Sequence, residues 1–113
     1  MEDDARLPTG LWLEAKLREM EAAGVSYYVT NKGAYAGGMV MLKLNGLKGV
    51  CRLLIQQRDI DGVLGWIDAL DQEQVEEKKA DDYIRRSIAR DPDVWAIEIE
   101  DRAMKNPFVF SKE

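Results

Sequence analysis

The chain has no histidine and only one cysteine among its 113 residues. Serine–histidine–acid triads and cysteine–histidine pairs both need an imidazole base, so neither can be built. Ordinary zinc sites draw on several histidines and cysteines and are excluded on the same ground. A metal site made from the remaining residue types would use oxygen ligands, which suit magnesium, manganese or calcium. Cys51 alone cannot form a disulfide within the chain. No apolar run approaches the roughly 20 residues of a membrane helix. The N-terminal MEDDARLPTG is acidic and lacks the apolar stretch of a secretory signal, so a cytoplasmic protein without membrane attachment is expected.

Positive charge is also in short supply. Sixteen lysines and arginines stand against 21 acids, a net charge of −5. Nucleic acid repels such a body unless the cations gather on one face. They are scattered, apart from a modest cluster at Lys78, Lys79, Arg85, Arg86 and Arg90.

Apolar residues make up 46% of the chain and charged residues 33%, an ordinary globular mix. A chain of this length buries roughly two thirds of its unfolded surface, enough for one domain over 1–113 with one core. Residues 1–7 read as a loose arm. Thr9 is placed to cap a helix from Gly10 to Ala23, with Leu13, Leu17 and Met20 as its buried stripe and Gly24 as a left-handed stop. VSYYVT (Val25–Thr30) reads as a strand. GMVMLKL (Gly38–Leu44) is apolar on both alternations and reads as a central strand covered on both faces. VCRLLIQQ (Val50–Gln57) returns as its partner, and VLGWIDA (Val63–Ala69) reads as a weaker edge strand. Asp71, with Gln74 three residues on, resembles a capping box opening a second helix that runs to Arg90, where Asp91-Pro92 stops it. VWAIEIE (Val94–Glu100) is the last strand. The apolar tail, 103–113, should dock on the core or on a partner.

The order is helix, four strands, helix, strand, an α/β (α+β) domain. A mixed, mostly antiparallel sheet of about five strands is expected, with the two helices packed on it. The first four strands should form a meander, with the second helix crossing over to deliver the last strand.

Three stretches carry a family resemblance: RLPTGLWLEAKLR (Arg6–Arg18), GGMVMLKLNGLKGVCRL (Gly37–Leu53) and, most specifically, RDPDVWAIEIEDR (Arg90–Arg102). Together they resemble the domain of unknown function 1491, found mainly in alphaproteobacteria. The likeness spans about Arg6 to Phe108. It implies a compact α/β domain with no assigned activity, and it carries over no catalytic residues.

The acids of DPDVWAIEIEDR therefore have to be weighed directly. Alternation puts Trp95, Ile97 and Ile99 on one face and Val94, Ala96, Glu98 and Glu100 on the other. Glu98 and Glu100 then project together, roughly 7 Å apart at their α-carbons. With Asp101 they could hold a hard cation. The simpler reading is a strand leaving the core, its acids solvated or paired with arginines. Asp91 and Asp93 flank a proline and read as turn residues. The element order is also similar to that of restriction-endonuclease-like nucleases, but GMVMLKL and VCRLLIQQ lack the carboxylates those enzymes carry.

Arg52 falls on an apolar face of its strand, with Leu42 opposite if NGLKG is a five-residue loop. It needs an acid partner, Glu98 or Glu100 if adjacent, or a wet rim. A sharper reading makes it an anion-binding arginine. GAYAGG joins two strands and is not a dinucleotide fingerprint, and the GLKG loop also joins strands, unlike the RNA-binding loop it matches. Both read as turns. Asp82 and Asp81, each four residues before an arginine, can neutralise the cations of the second helix. Cys51 reads as a small buried hydrophobe, and Trp12, Trp66 and Trp95 as core.

Two functional readings follow. The first is a non-catalytic module that binds a protein partner or itself, through the edge strand with Trp66, the tail with Phe108 and Phe110, and Arg52. No cofactor is expected for it. The second is a divalent-metal-dependent hydrolase or nuclease using Glu98, Glu100 and Asp101.

Overall fold

The computed structural model describes residues 8–58 and 60–108. The arm at 1–7 and Phe110 of the tail lie outside the described residues. Helix α1 spans Thr9–Ala22 and buries Leu13, Leu17 and Met20, the stripe set by helical periodicity. Each buried leucine contributes about 1.5–3 kcal/mol of hydrophobic stabilisation. The cap differs from expectation. Pro8 is the N-cap and makes no side-chain bond, while Thr9 is already helical. Proline's fixed φ and missing N–H suit that boundary. Gly24 stops the helix with φ +79°, a conformation that costs glycine little.

The strands are β1 (Ser26–Asn31), β2 (Val40–Asn45), β3 (Val50–Arg58), β4 (Leu64–Asp68), the two-residue β5 (Val75–Glu76) and β6 (Trp95–Glu100). Helix α2 spans Glu77–Arg90. The sheet has six strands in the order β1-β6-β2-β3-β4, with β5 also paired to β3. β6 runs parallel to β2 and antiparallel to β1, and the other pairs are antiparallel.

The expected four-strand meander is therefore broken, because β6 is inserted between β1 and β2. Burial supplies the reason. Four of the six residues of β6 are buried, on both faces, so it needs a neighbour on each side. None of the six residues of β1 is fully buried, which suits an edge. β4 forms the other edge, as its weak alternation suggested.

The second helix also starts later than its capping-box signature indicated. Asp71 takes φ +59°, and Val75–Glu76 pair with Val50–Cys51 before α2 begins. Burying Val75 in that short pairing takes precedence over extending the helix. The β2–β3 register is shifted by two residues from a five-residue loop. Leu44 faces Arg52 and Leu42 faces Leu54. A shift of two leaves every side chain on its expected face.

The helices cover opposite faces. Leu13, Leu17 and Met20 of α1 pack with Val40, Leu42, Leu44, Leu54, Trp95, Ile97 and Ile99. Ala80 and Ile84 of α2 pack with Met41, Cys51, Leu53, Val75, Val94 and Ala96. The segment between β1 and β2 lies across the start of β6. Ala34 N–H donates to the Asp93 carbonyl at 3.0 Å, and Trp95 Nε1 donates to the Ala34 carbonyl at 2.9 Å. Gly33 comes so close to the Asp93 carbonyl that a Cβ there would collide with it. The glycine-rich stretch is thus a backbone cradle for β6. No helix among the described residues is long and apolar enough to cross a membrane.

Candidate functional site

The polar centre of the molecule is Lys43. Its strand reads as apolar on both faces, yet Lys43 is only 4% exposed. Alternation along β2 turns it toward α2. Its Nζ lies 2.7 Å from Glu77 Oε2, 2.7 Å from Asp81 Oδ1 and 3.5 Å from Glu98 Oε1. Glu77 and Asp81 are one helical turn apart on α2, and Glu98 is the direct register partner of Lys43 on β6. Asn45 completes the group. Its Nδ2 donates to Glu98 Oε2 at 2.8 Å and to Glu77 Oε2 at 3.3 Å. Its Oδ1 accepts from Leu47 N–H at 2.8 Å, holding the β2–β3 turn.

Burial alone would push the Lys43 pKa down. Hydrogen bonds to Asp81 and Glu77, with the charges of Glu98 and Asp81, outweigh it and hold the pKa well above the ordinary lysine value. Lys43 is thus a fixed cation whose donors are directed at its own acids. An ammonium engaged in this way is a poor base and a poor amine nucleophile near neutral pH. Sequence reasoning missed it. The available signal was a lysine inside an otherwise apolar run, VMLKL, matched by acids four apart at Glu77 and Asp81.

Beside this cluster a cleft of about 260 Å³ opens, lined by Thr30, Lys43, Asp81, Ile84, Arg85, Ile88 and Glu98. Glu98 thus reaches a cleft, but already engaged by Lys43 and Asn45. Glu100 is partly buried and paired in register with Ser26 and Asn45. Asp101 turns the chain, its Oδ2 accepting from Lys105 N–H at 2.7 Å. Asp91 accepts from Asp93 N–H at 3.1 Å in the turn after α2. Among the described residues, no three carboxylates or thiolates stand where they could share a metal ion.

Arg52 points to the other face of the sheet, so it does not meet Glu98 or Glu100. It engages Asp68 of β4, Nε to Oδ1 at 2.9 Å, and Glu73 at 3.6 Å. The hydrogen bond to Asp68 outweighs desolvation and raises the guanidinium pKa. Nearby, Trp66 and Trp12 pack on Phe108, with ring centroids 5.7 and 5.5 Å away. Phe108 is buried in the core beneath α1. Phe108 therefore packs against its own domain.

Cys51 is fully buried, and desolvation pushes its thiol up to about 11. A thiol held neutral in this way is a poor nucleophile. At the outer edge, β4 and the residues before it leave Ile60, Val63, Leu64 and Ile67 exposed.

A family model described as protein of unknown function (DUF1491) matches residues 7–109. The crystal structure of a DUF1491 family protein from Caulobacter crescentus CB15 is similar, at 33% identity and a TM-score of 0.74, over 85% of this chain and 89% of that one. The NMR structure of a DUF1491 family protein from the same organism is similar at 31% identity and a TM-score of 0.74, over 90% and 92% of the two chains. Protein Atu0922 from A. tumefaciens shares the fold at 24% identity and a TM-score of 0.64, over 85% and 86%. A search of curated proteins found no match. With the family model matching residues 7–109 and a family member 33% identical over 85% of this chain, the chain belongs to the DUF1491 family.

Proposed function

We propose that the domain is a non-catalytic self-association module that joins a second copy through the open edge of β4. The observation that carries this reading is the pattern of β4 about Gly65. Among the described residues β4 is outermost in the sheet order, a position from which an edge strand can pair with another strand. In a two-fold antiparallel pair centred on Gly65, Leu64 meets Trp66 of the second copy and Val63 meets its Ile67. Each contact occurs twice. Val63, Leu64 and Ile67 are exposed and Trp66 is half-buried, so this pairing covers apolar surface the monomer leaves open. Apolar cross-strand pairs of this kind contribute roughly 0.2–1 kcal/mol each beyond alanine pairs.

Two further features fit. Arg52 holds Asp68 at the end of β4, and Phe108 supports the Trp66 ring from within, so the edge is braced. The polar cluster around Lys43 is satisfied internally, as expected of a structural tie.

Light scattering over a concentration series tests the reading. The 12.8 kDa chain should approach twice that mass at high concentration. Ile67→Lys, an exposed position, should leave the fold intact and return the monomer. A wild-type protein that stays monomeric at every concentration would overturn the proposal.

A further inference from the structure

A second cleft, of about 330 Å³, lies between α2 and the segment leading into β5. It is lined by Leu70, Gln72, Val75, Lys79, Asp82 and Arg86. We propose that this cleft binds a small organic phosphate, an inference independent of self-association.

The charges carry the argument. Residues 79, 82 and 86 share one face of α2 through helical spacing. Sequence spacing suggested that Asp82 would neutralise Arg86 and that Asp81 would neutralise Arg85. The structure pairs them otherwise. Asp81 is drawn inward to Lys43 at 2.7 Å. Asp82 takes Arg85 at 2.8 Å and Lys78 at 3.4 Å, one on each oxygen. Among the described residues Lys79 and Arg86 form no salt bridge, and both line the cleft. Lys78 and Arg85 thus take up Asp82, the one carboxylate among the residues that line the cleft, and Lys79 and Arg86 stand beside it.

A guanidinium and an ammonium left unpaired over a concavity are the usual elements of phosphate recognition. Asp82, engaged by two cations of its own, opposes the anion only weakly. The walls then select the rest of the ligand. Leu70 and the buried Val75 offer apolar surface, and Gln72 offers an amide. The volume lies at the lower end of small-molecule sites.

The test is an amide-shift NMR titration with phenyl phosphate, inorganic phosphate and phenol as probes. Phenyl phosphate should give saturable shifts confined to the amides around Gln72, Val75, Lys79 and Arg86. Inorganic phosphate should bind more weakly, and phenol should not saturate. Lys79→Gln and Arg86→Gln, both exposed positions, should each raise the phenyl phosphate Kd roughly tenfold or more. Arg90→Gln, outside the cleft, should leave it unchanged. The spectra themselves report whether each variant is folded. Unsaturable shifts, or equal weakening by Arg90→Gln and Arg86→Gln, would overturn the site. Inorganic phosphate binding as tightly as phenyl phosphate would overturn the assignment to an organic ligand.

Discussion

Lys43 Nζ sits 2.7 Å from the Asp81 carboxylate, tying the middle of the sheet to the helix that crosses it. Glu77 and Glu98 complete the tie, and Asn45 fixes both of them. A buried charge persists only where such partners offset its lost hydration.

Lys43→Met should lower stability by about 2 kcal/mol, measured by urea denaturation. Removing one partner of a fully buried pair costs ~3–5 kcal/mol, but here Glu77 and Asp81 keep contact with water and can rehydrate. Glu98→Gln should cost less, since it leaves two acids on the ammonium.

The same group predicts an alkaline limb. The pKa of Lys43 is higher folded than unfolded, where it is about 10.4. Its contribution is therefore complete below about pH 10.4 and is lost as pH climbs through the folded value. Stability of the wild type minus that of Lys43→Met should be flat across neutral pH and shrink above that point. A difference that instead grows with pH would contradict the assignment.

Phe108→Ala should cost about 3–5 kcal/mol, because it empties a core position between Trp12 and Trp66. Tryptophan fluorescence should shift in the same variant. An unchanged melting temperature would show that the tail is not part of the core.

Gly33→Ala should destabilise by about 1–3 kcal/mol, as a Cβ drives the cradle segment away from the Asp93 carbonyl. Ala36→Gly in the same segment should have a much smaller effect. Thermal melts of both variants compare the two positions.

Cys51 should resist thiol reagents in the native state at neutral pH, since it is fully buried with a pKa of about 11. Its labelling rate should match that of a free thiol only after unfolding in denaturant. Rapid native labelling would mean that β3 opens readily.

Where local pattern decides structure, the sequence was legible. The Leu13, Leu17, Met20 stripe and the two-faced burial of β2 follow from periodicity alone. So does the division of Trp95, Ile97 and Ile99 from Val94, Ala96 and Glu98. Features set by distant pairing were not legible. The insertion of β6 beside β2 depends on which strands need two neighbours. The late start of α2 reflects competition between a capping signature and the burial of Val75. Arg52 was placed on the right face, but its partner Asp68 depends on the β3–β4 register. Lys43 was hidden because its long stem fits an apolar run, while its acids lie more than thirty residues away in sequence.

Self-association through β4 is tested most directly by an isotope-filtered NOE experiment on a mixture of labelled and unlabelled chains. The filter retains only contacts between copies. The account predicts contacts from Leu64 methyls to the Trp66 ring and from Val63 to Ile67, vanishing in Ile67→Lys. Contacts between copies that map to β1, or none at a concentration where dimer is present, would contradict it.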